Sequence, residues 1–141
     1  MSLHLLKLSV GPKTVEQLRA IQARRAESEP PLRHQTRTMP RRAAEILDGG
    51  SIYWVIGGFL QVRQRVIGLI EDVWDDGSAC CGIVLDPELV AVEARAVKPF
   101  QGWRYLTAED APPDVRAGAA ATGIEALPAK LRAALRDAAL I

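Results

Sequence analysis

The dipeptide Asp76-Gly77 constrains this chain more than any other local feature. It stands between Val73-Trp74 and the apolar run CCGIVL. An Asp-Gly pair between apolar runs is the strongest hairpin signal in the chain, because glycine takes the positive φ of a tight turn without steric cost. An antiparallel strand pair is therefore expected around it. Upstream, Ile52–Ile56 and Leu60–Ile70 are rich in β-branched and aromatic residues and are punctuated by Gly57-Gly58. They read as two more strands. Along the second, Leu60, Val62, Gln64, Val66, Gly68 and Ile70 share one face. Gln61, Arg63, Arg65, Ile67 and Leu69 share the other.

Shorter signals place the remaining elements. Leu3 to Val10 reads as a first strand ended by Gly11-Pro12, and Thr14 suits the N-cap of a helix to about Ala26 with Val15, Leu18 and Ile21 inward. Glu29-Pro30-Pro31 breaks the chain and opens an arginine-rich loop of about ten residues, a length that often carries function. Pro40 suits the first turn of a helix over Arg41–Leu47, with Ile46 and Leu47 inward and a stop at Asp48-Gly49-Gly50. Leu89–Ala96 alternates as a further strand. Lys98–Tyr105 reads as an ordered loop feeding a short strand or turn.

With 141 residues the chain suits one domain that folds without disulfides or metal. Its expected core spans about residues 3–106, followed by an irregular return over 107–126. An amphipathic helix over 127–140 carries Leu127, Leu131, Leu135 and Ala138 opposite Lys130, Arg132 and Arg136. That helix packs on its own domain by default and otherwise offers a protein partner or self-association surface. The adjacent Cys80 and Cys81 form neither a disulfide framework nor a zinc spacing, and no run reaches the apolar length of a membrane span. A cytoplasmic protein without metal, cofactor or membrane partner is the expectation.

The formal net charge is +1, yet the charge is unevenly spread. Residues 1–70 hold eleven Lys and Arg against five Asp and Glu, whereas residues 71–141 hold seven against twelve. Such asymmetry either steers an anionic partner or compensates across the folded surface. The basic half contains Arg33, His34, Arg37, Arg41 and Arg42 in the loop, and Arg63, Gln64 and Arg65 on the predicted strand. Guanidinium forks suit phosphates, carboxylates and base edges. Trp54, Trp103, Gln101 and Arg104 add stacking and polar groups, and Ser51 follows the Gly49-Gly50 turn. No Walker, dinucleotide or nucleophile-elbow pattern accompanies them.

The segments LHLLKLSVG, RHQTRTMPRR, LDGGSIYWVIGG, VRQR, LDPELV and PFQGWRYLTAEDAPPD resemble the bacterial family known as domain of unknown function 1489. The resemblance covers about residues 3–114 and implies no activity. At fold level, Ala43–Val55 is similar to the opening of ASCH domains in the PUA-like superfamily, which bind RNA or modified nucleosides. Hydrolytic members carry a Lys-Thr pair where Gly50-Ser51 aligns here, so their chemistry is not implied. Together these observations predict an α+β fold with a small, mostly antiparallel β-barrel flanked by helices. Its basic mouth would bind RNA or a nucleotide-like, phosphate-bearing ligand. The alternatives are a small enzyme on a nucleoside-like or acidic metabolite, with His34 or Glu71 as acid or base, and a protein-interaction scaffold.

Overall fold

The computed structural model describes residues 2–115, so the predicted return beyond Val115 and the helix over 127–140 lie outside the described residues. Eight elements follow in chain order: β1 (Leu3–Leu8), α1 (Val15–Ser28), β2 (Arg33–Thr36), α2 (Ala43–Leu47), β3 (Ser51–Ile56), β4 (Phe59–Val73), β5 (Ala79–Ala96) and β6 (Trp103–Thr107). The strands form one sheet in the order β2-β5-β4-β3-β1-β6. Only β1 and β3 run parallel. The α+β class is as expected. The barrel is not: β2 and β6 remain edges, so the sheet does not close.

Local chemistry accounts for the element ends. Thr14 has an extended backbone, and its hydroxyl accepts the Gln17 N–H at 3.1 Å, which satisfies one open donor of the first turn of α1. Gly57 and Gly58, at φ 60° and 86°, make the tight turn between β3 and β4. Gly77, at φ 88°, turns β4 into β5, with the Trp74 N–H donating to the Ser78 carbonyl at 2.8 Å. Gly50 joins α2 to β3 where a Cβ would run into the backbone carbonyls of Leu3 and Ile46. Only glycine fits that approach.

Irregular pairing bends the long β4–β5 hairpin. From Gln64↔Leu89 to Val66↔Leu85, β5 uses four residues where β4 uses two, and Pro87 stands in the excess. Proline is tolerated at such a bulge because it has no ladder N–H to give. The far half of the hairpin, with β2 on its edge, folds back over β3 and β1. His34 of β2 and Trp54 of β3 consequently meet edge to face with ring centroids 5.3 Å apart. Three steps of a flat sheet would hold those strands roughly 14 Å apart.

The main core fills this curl. Leu3, Leu5, Ile52, Trp54, Ile56 and Val62 face Val66, Cys81, Ile83 and Leu85, with Val15 and Leu18 of α1 and Ile46 of α2 closing the sides. A second cluster lies on the opposite sheet face and contains Tyr53, Val55, Leu60, Val92 and Leu106. Leu60 and Val62 thus fall into different clusters, and the simple alternation expected along β4 fails at its start. Gln61 is the extra residue opposite Trp54/Val55. It is 2% exposed and donates to the Ile56 carbonyl at 2.9 Å, so it leaves the row shared by Arg63 and Arg65.

Other expectations need correction. The arginine loop contains a strand, because Arg33–Thr36 pair with Cys81–Val84. The second helix is one short turn from Ala43, and Leu47 is 43% exposed rather than inward. Leu89–Ala96 is the second part of β5 and not a separate strand. Val10 lies beyond β1 and is exposed. No helix among the described residues is long and apolar enough to cross a membrane.

Candidate functional site

The fold-back creates a groove between α1, the end of β1 and the far half of the sheet. It consists of two adjoining concavities of about 370 Å³ each, which share Arg25, Arg33 and His34. Lys7 and Trp54 line the inner one, and Glu29, Trp74 and Asp75 line the outer. Each strand contributes by register. Lys7 stands opposite Trp54 on one side and Trp103 on the other, so β1 places a cation between two indoles on the core-facing side. Lys7 continues the alternation of buried Leu3 and Leu5, so it points where an apolar residue would otherwise go.

The groups differ in how far they are already committed. The Arg33 guanidinium is held by Asp72 and by the carbonyls of Glu29 and Pro31, the latter two at 3.2 Å. The Arg33 hydrogen bond, with further donors from Val73 and Gln35, holds the Asp72 carboxyl below its ordinary range. Lys7 donates to the Leu8 carbonyl at 3.1 Å. Among the described residues, neither Lys7 nor Arg25 forms an ion pair. Burial pushes the Lys7 ammonium pKa down. Burial first, then the charges of Lys7 and Arg25, push His34 down to about 4. At neutral pH its imidazole is therefore uncharged, with one nitrogen to donate and one to accept.

Beneath the groove lies a closed polar network. Gln64 is fully buried and exchanges amide hydrogen bonds with Gln22 of α1, at 2.9 and 2.8 Å. Its side chain also accepts the Trp54 indole N–H at 3.1 Å and donates to the Asp86 carbonyl at 2.7 Å. Trp54, 3% exposed, forms a floor rather than a free stacking platform.

The predicted site residues do not form one mouth. Arg33 and His34 meet in the groove, over Trp54 and Gln64. Arg37 and Arg41 are exposed on the connection from β2 to α2. Arg42 makes a two-pronged ion pair with Glu45, and its guanidinium lies 5.8 Å from the Tyr105 ring centre. Arg104 lies 4.5 Å over Phe100, and Gln101 is exposed beside it. Trp103 packs partly into the main core, edge to face with Tyr105 at 5.0 Å. Ser51, Arg63 and Arg65 lie on the opposite sheet face. Lys7, Arg25 and Trp74 were not expected at the site. Lys7 alone left a sequence signal, a charge at a core-facing position of an apolar alternation.

Among the described residues no three His, Cys, Asp or Glu side chains converge. Cys80 and Cys81 are both buried, with the Cys81 Sγ 3.5 Å from the Met39 Sδ, and burial pushes both thiols up. They read as core residues.

No curated protein and no solved structure matches this chain. The PUA-like likeness thus stays a sequence analogy over Ala43–Val55. A family model does match, over residues 5–141, and so extends well past the limit near residue 115 that the sequence motifs suggested. The chain belongs to the family described as protein of unknown function DUF1489.

Proposed function

We propose that the protein is a binding module for RNA or another phosphate-bearing ligand, seated in the groove of Lys7, Arg25 and His34. One observation carries this reading: Lys7 and Arg25 approach a largely buried neutral His34 in a concave site without ion-pair partners among the described residues. Cations drawn into a concavity focus their field on an incoming anion. A phosphate would bridge them, while the His34 ring supplies a directional hydrogen bond. Trp74, half-buried at the outer end, offers its face to a base. The likeness of Ala43–Val55 to ASCH domains points toward the same ligand class as an analogy.

The test is fluorescence anisotropy with a labelled single-stranded RNA at two salt concentrations. Removing two phosphate-contacting cations by Lys7→Ala and Arg25→Ala should flatten the log–log salt slope by about 1.4. It should also weaken binding at low salt while the melting temperature stays close to wild type. The exposed pair Arg37→Ala, Arg41→Ala should matter less. Equal affinity of the groove variant and the wild type, or no binding at low salt by the wild type, would remove this assignment.

A further inference from the structure

On the sheet face opposite the groove, a separate cavity of about 540 Å³ opens between β1, β3 and β4 and the chain that follows β6. The cross-strand registers Ser51↔Arg65 and Tyr53↔Arg63 bring four polar side chains onto one side of the sheet, and His4 joins them from β1. Their hydrogen bonds are ordered inward from Arg63. Its Nη1 donates to the Ser51 hydroxyl at 3.1 Å, and the Ser51 N–H donates to His4 Nδ1 at 3.0 Å. Because His4 Nδ1 accepts, the neutral ring carries its proton on Nε2 and can donate it. Burial raises the pKa of the Tyr53 hydroxyl, which stays a donor.

The remaining edge of the Arg63 guanidinium is filled by a carboxylate. Nε and Nη2 donate to the two oxygens of Asp114 at 2.6 and 2.7 Å, the two-pronged geometry a guanidinium offers to any carboxylate. Asp114 belongs to the chain after β6, where it forms an isolated antiparallel bridge with Val92, Ala111 packs against the second core cluster and Pro112 is buried. The backbone of that segment is held by the Glu93 N–H to the Pro113 carbonyl at 3.0 Å, the Val115 N–H to the Ala91 carbonyl at 2.9 Å, the Asp110 and Ala111 N–H groups to the Thr107 carbonyl at 3.1 and 3.0 Å, and the Arg95 guanidinium to the Asp110 carbonyl at 2.7 Å, whereas the Asp114 side chain itself stays 45% exposed. Two residues along β4, Arg65 lines the same cavity, exposed and in no ion pair among the described residues. A two-residue step along a strand spans about 7 Å.

We propose that this cavity is a binding site for a small dicarboxylate, with Arg63 as the seat of one carboxylate, Arg65 as the seat of the other, and Asp114 as a tethered stand-in for the first. The assignment is independent of the groove on the opposite face. A tethered competitor acts at an effective concentration on the order of millimolar, so the free ligand must displace it. Freed of Asp114, the site should bind more tightly.

The experiment titrates the protein and its Asp114→Asn variant with glutarate, succinate and acetate, following by NMR the backbone amide resonances of Ser51 and Tyr53, which line the cavity, together with the Arg63 Nε–H where Arg63 is present. Expected is saturable binding of a dicarboxylate by Asp114→Asn, at least about tenfold tighter than by wild type. Acetate should bind more weakly. Arg65→Ala should reduce glutarate to the level of acetate, and Arg63→Ala should abolish the response. A folded Asp114→Asn variant that shows no saturable response overturns the proposal, as does a response that survives Arg63→Ala. Should Asp114→Asn fail to fold, wild type at high glutarate decides: a shifted Arg63 resonance supports the site and an unmoved one overturns it.

Discussion

His34 has its imidazole against Trp54, facing the charges of Lys7 and Arg25, and this position links the groove to stability. Its folded pKa of about 4 lies below the ordinary 6.5, so between those values the unfolded chain holds more protons than the folded one. Stability therefore rises with pH across that window. It is complete above pH 6.5 and is lost on acidification toward pH 4, by about 3 kcal/mol at most. Urea unfolding of wild type and His34→Gln at half-unit steps should show this as a difference profile, steep from pH 4.5 to 6.5 and level above. A level difference throughout would mean that His34 is not held neutral by the fold. His4, also lowered by burial and by Arg63, leaves a residual slope of the same sign in the variant.

At the scale of elements, the Gln22–Gln64 exchange rivets α1 onto the bend of the sheet. Gln64 serves four bonds and Gln22 two, all buried except the half-buried one to the Asp86 carbonyl. Gln64→Leu leaves the Trp54 indole, the Asp86 carbonyl and the Gln22 amide without these partners, whereas after Gln22→Leu the Gln64 amide keeps its bonds to Trp54 and to the Asp86 carbonyl. Denaturant melts should show about 3 kcal/mol lost for Gln64→Leu and clearly less for Gln22→Leu. The double variant should lose less than the sum of the two. The same network explains what the sequence left unreadable. Caps and turns, such as Thr14, Gly57-Gly58 and Asp76-Gly77, act over a few residues and were legible. The four-residue β2 carries Arg33, His34 and Gln35, so its composition resembles a polar loop, and only pairing with β5 makes it a strand. The alternation over Leu89–Ala96 suggested a separate strand, yet with Pro87 at a bulge β5 runs unbroken to Ala96. Lys7, Arg25 and His34 meet only after the hairpin bends. No local pattern brings three segments so distant in sequence together.

Across the whole molecule, the basic first half and acidic second half are stitched together. Two ion pairs among the described residues, Arg33–Asp72 and Arg63–Asp114, join one half to the other. Of the first-half cations outside those ion pairs, Lys7 and Arg25 line the groove on one face and Arg65 lines the cavity on the other. The order of opening should follow the same plan. All six residues of β3 are buried, and β3 is paired on both sides, by β1 and β4. Amide exchange should be slowest there and fast at the Trp74–Ser78 turn. A turn as protected as β3 would contradict that hierarchy. The two concavities also share β3 and β4 by parity, with Trp54 and Gln64 facing one and Ser51, Tyr53, Arg63 and Arg65 facing the other. Those strands are read like a tape with two tracks. Inserting one residue within Ser51–Ile56 shifts the frame and sends each track's message to the wrong side, whereas inserting two restores the alternation, so length here is as much a part of the sites as the side chains.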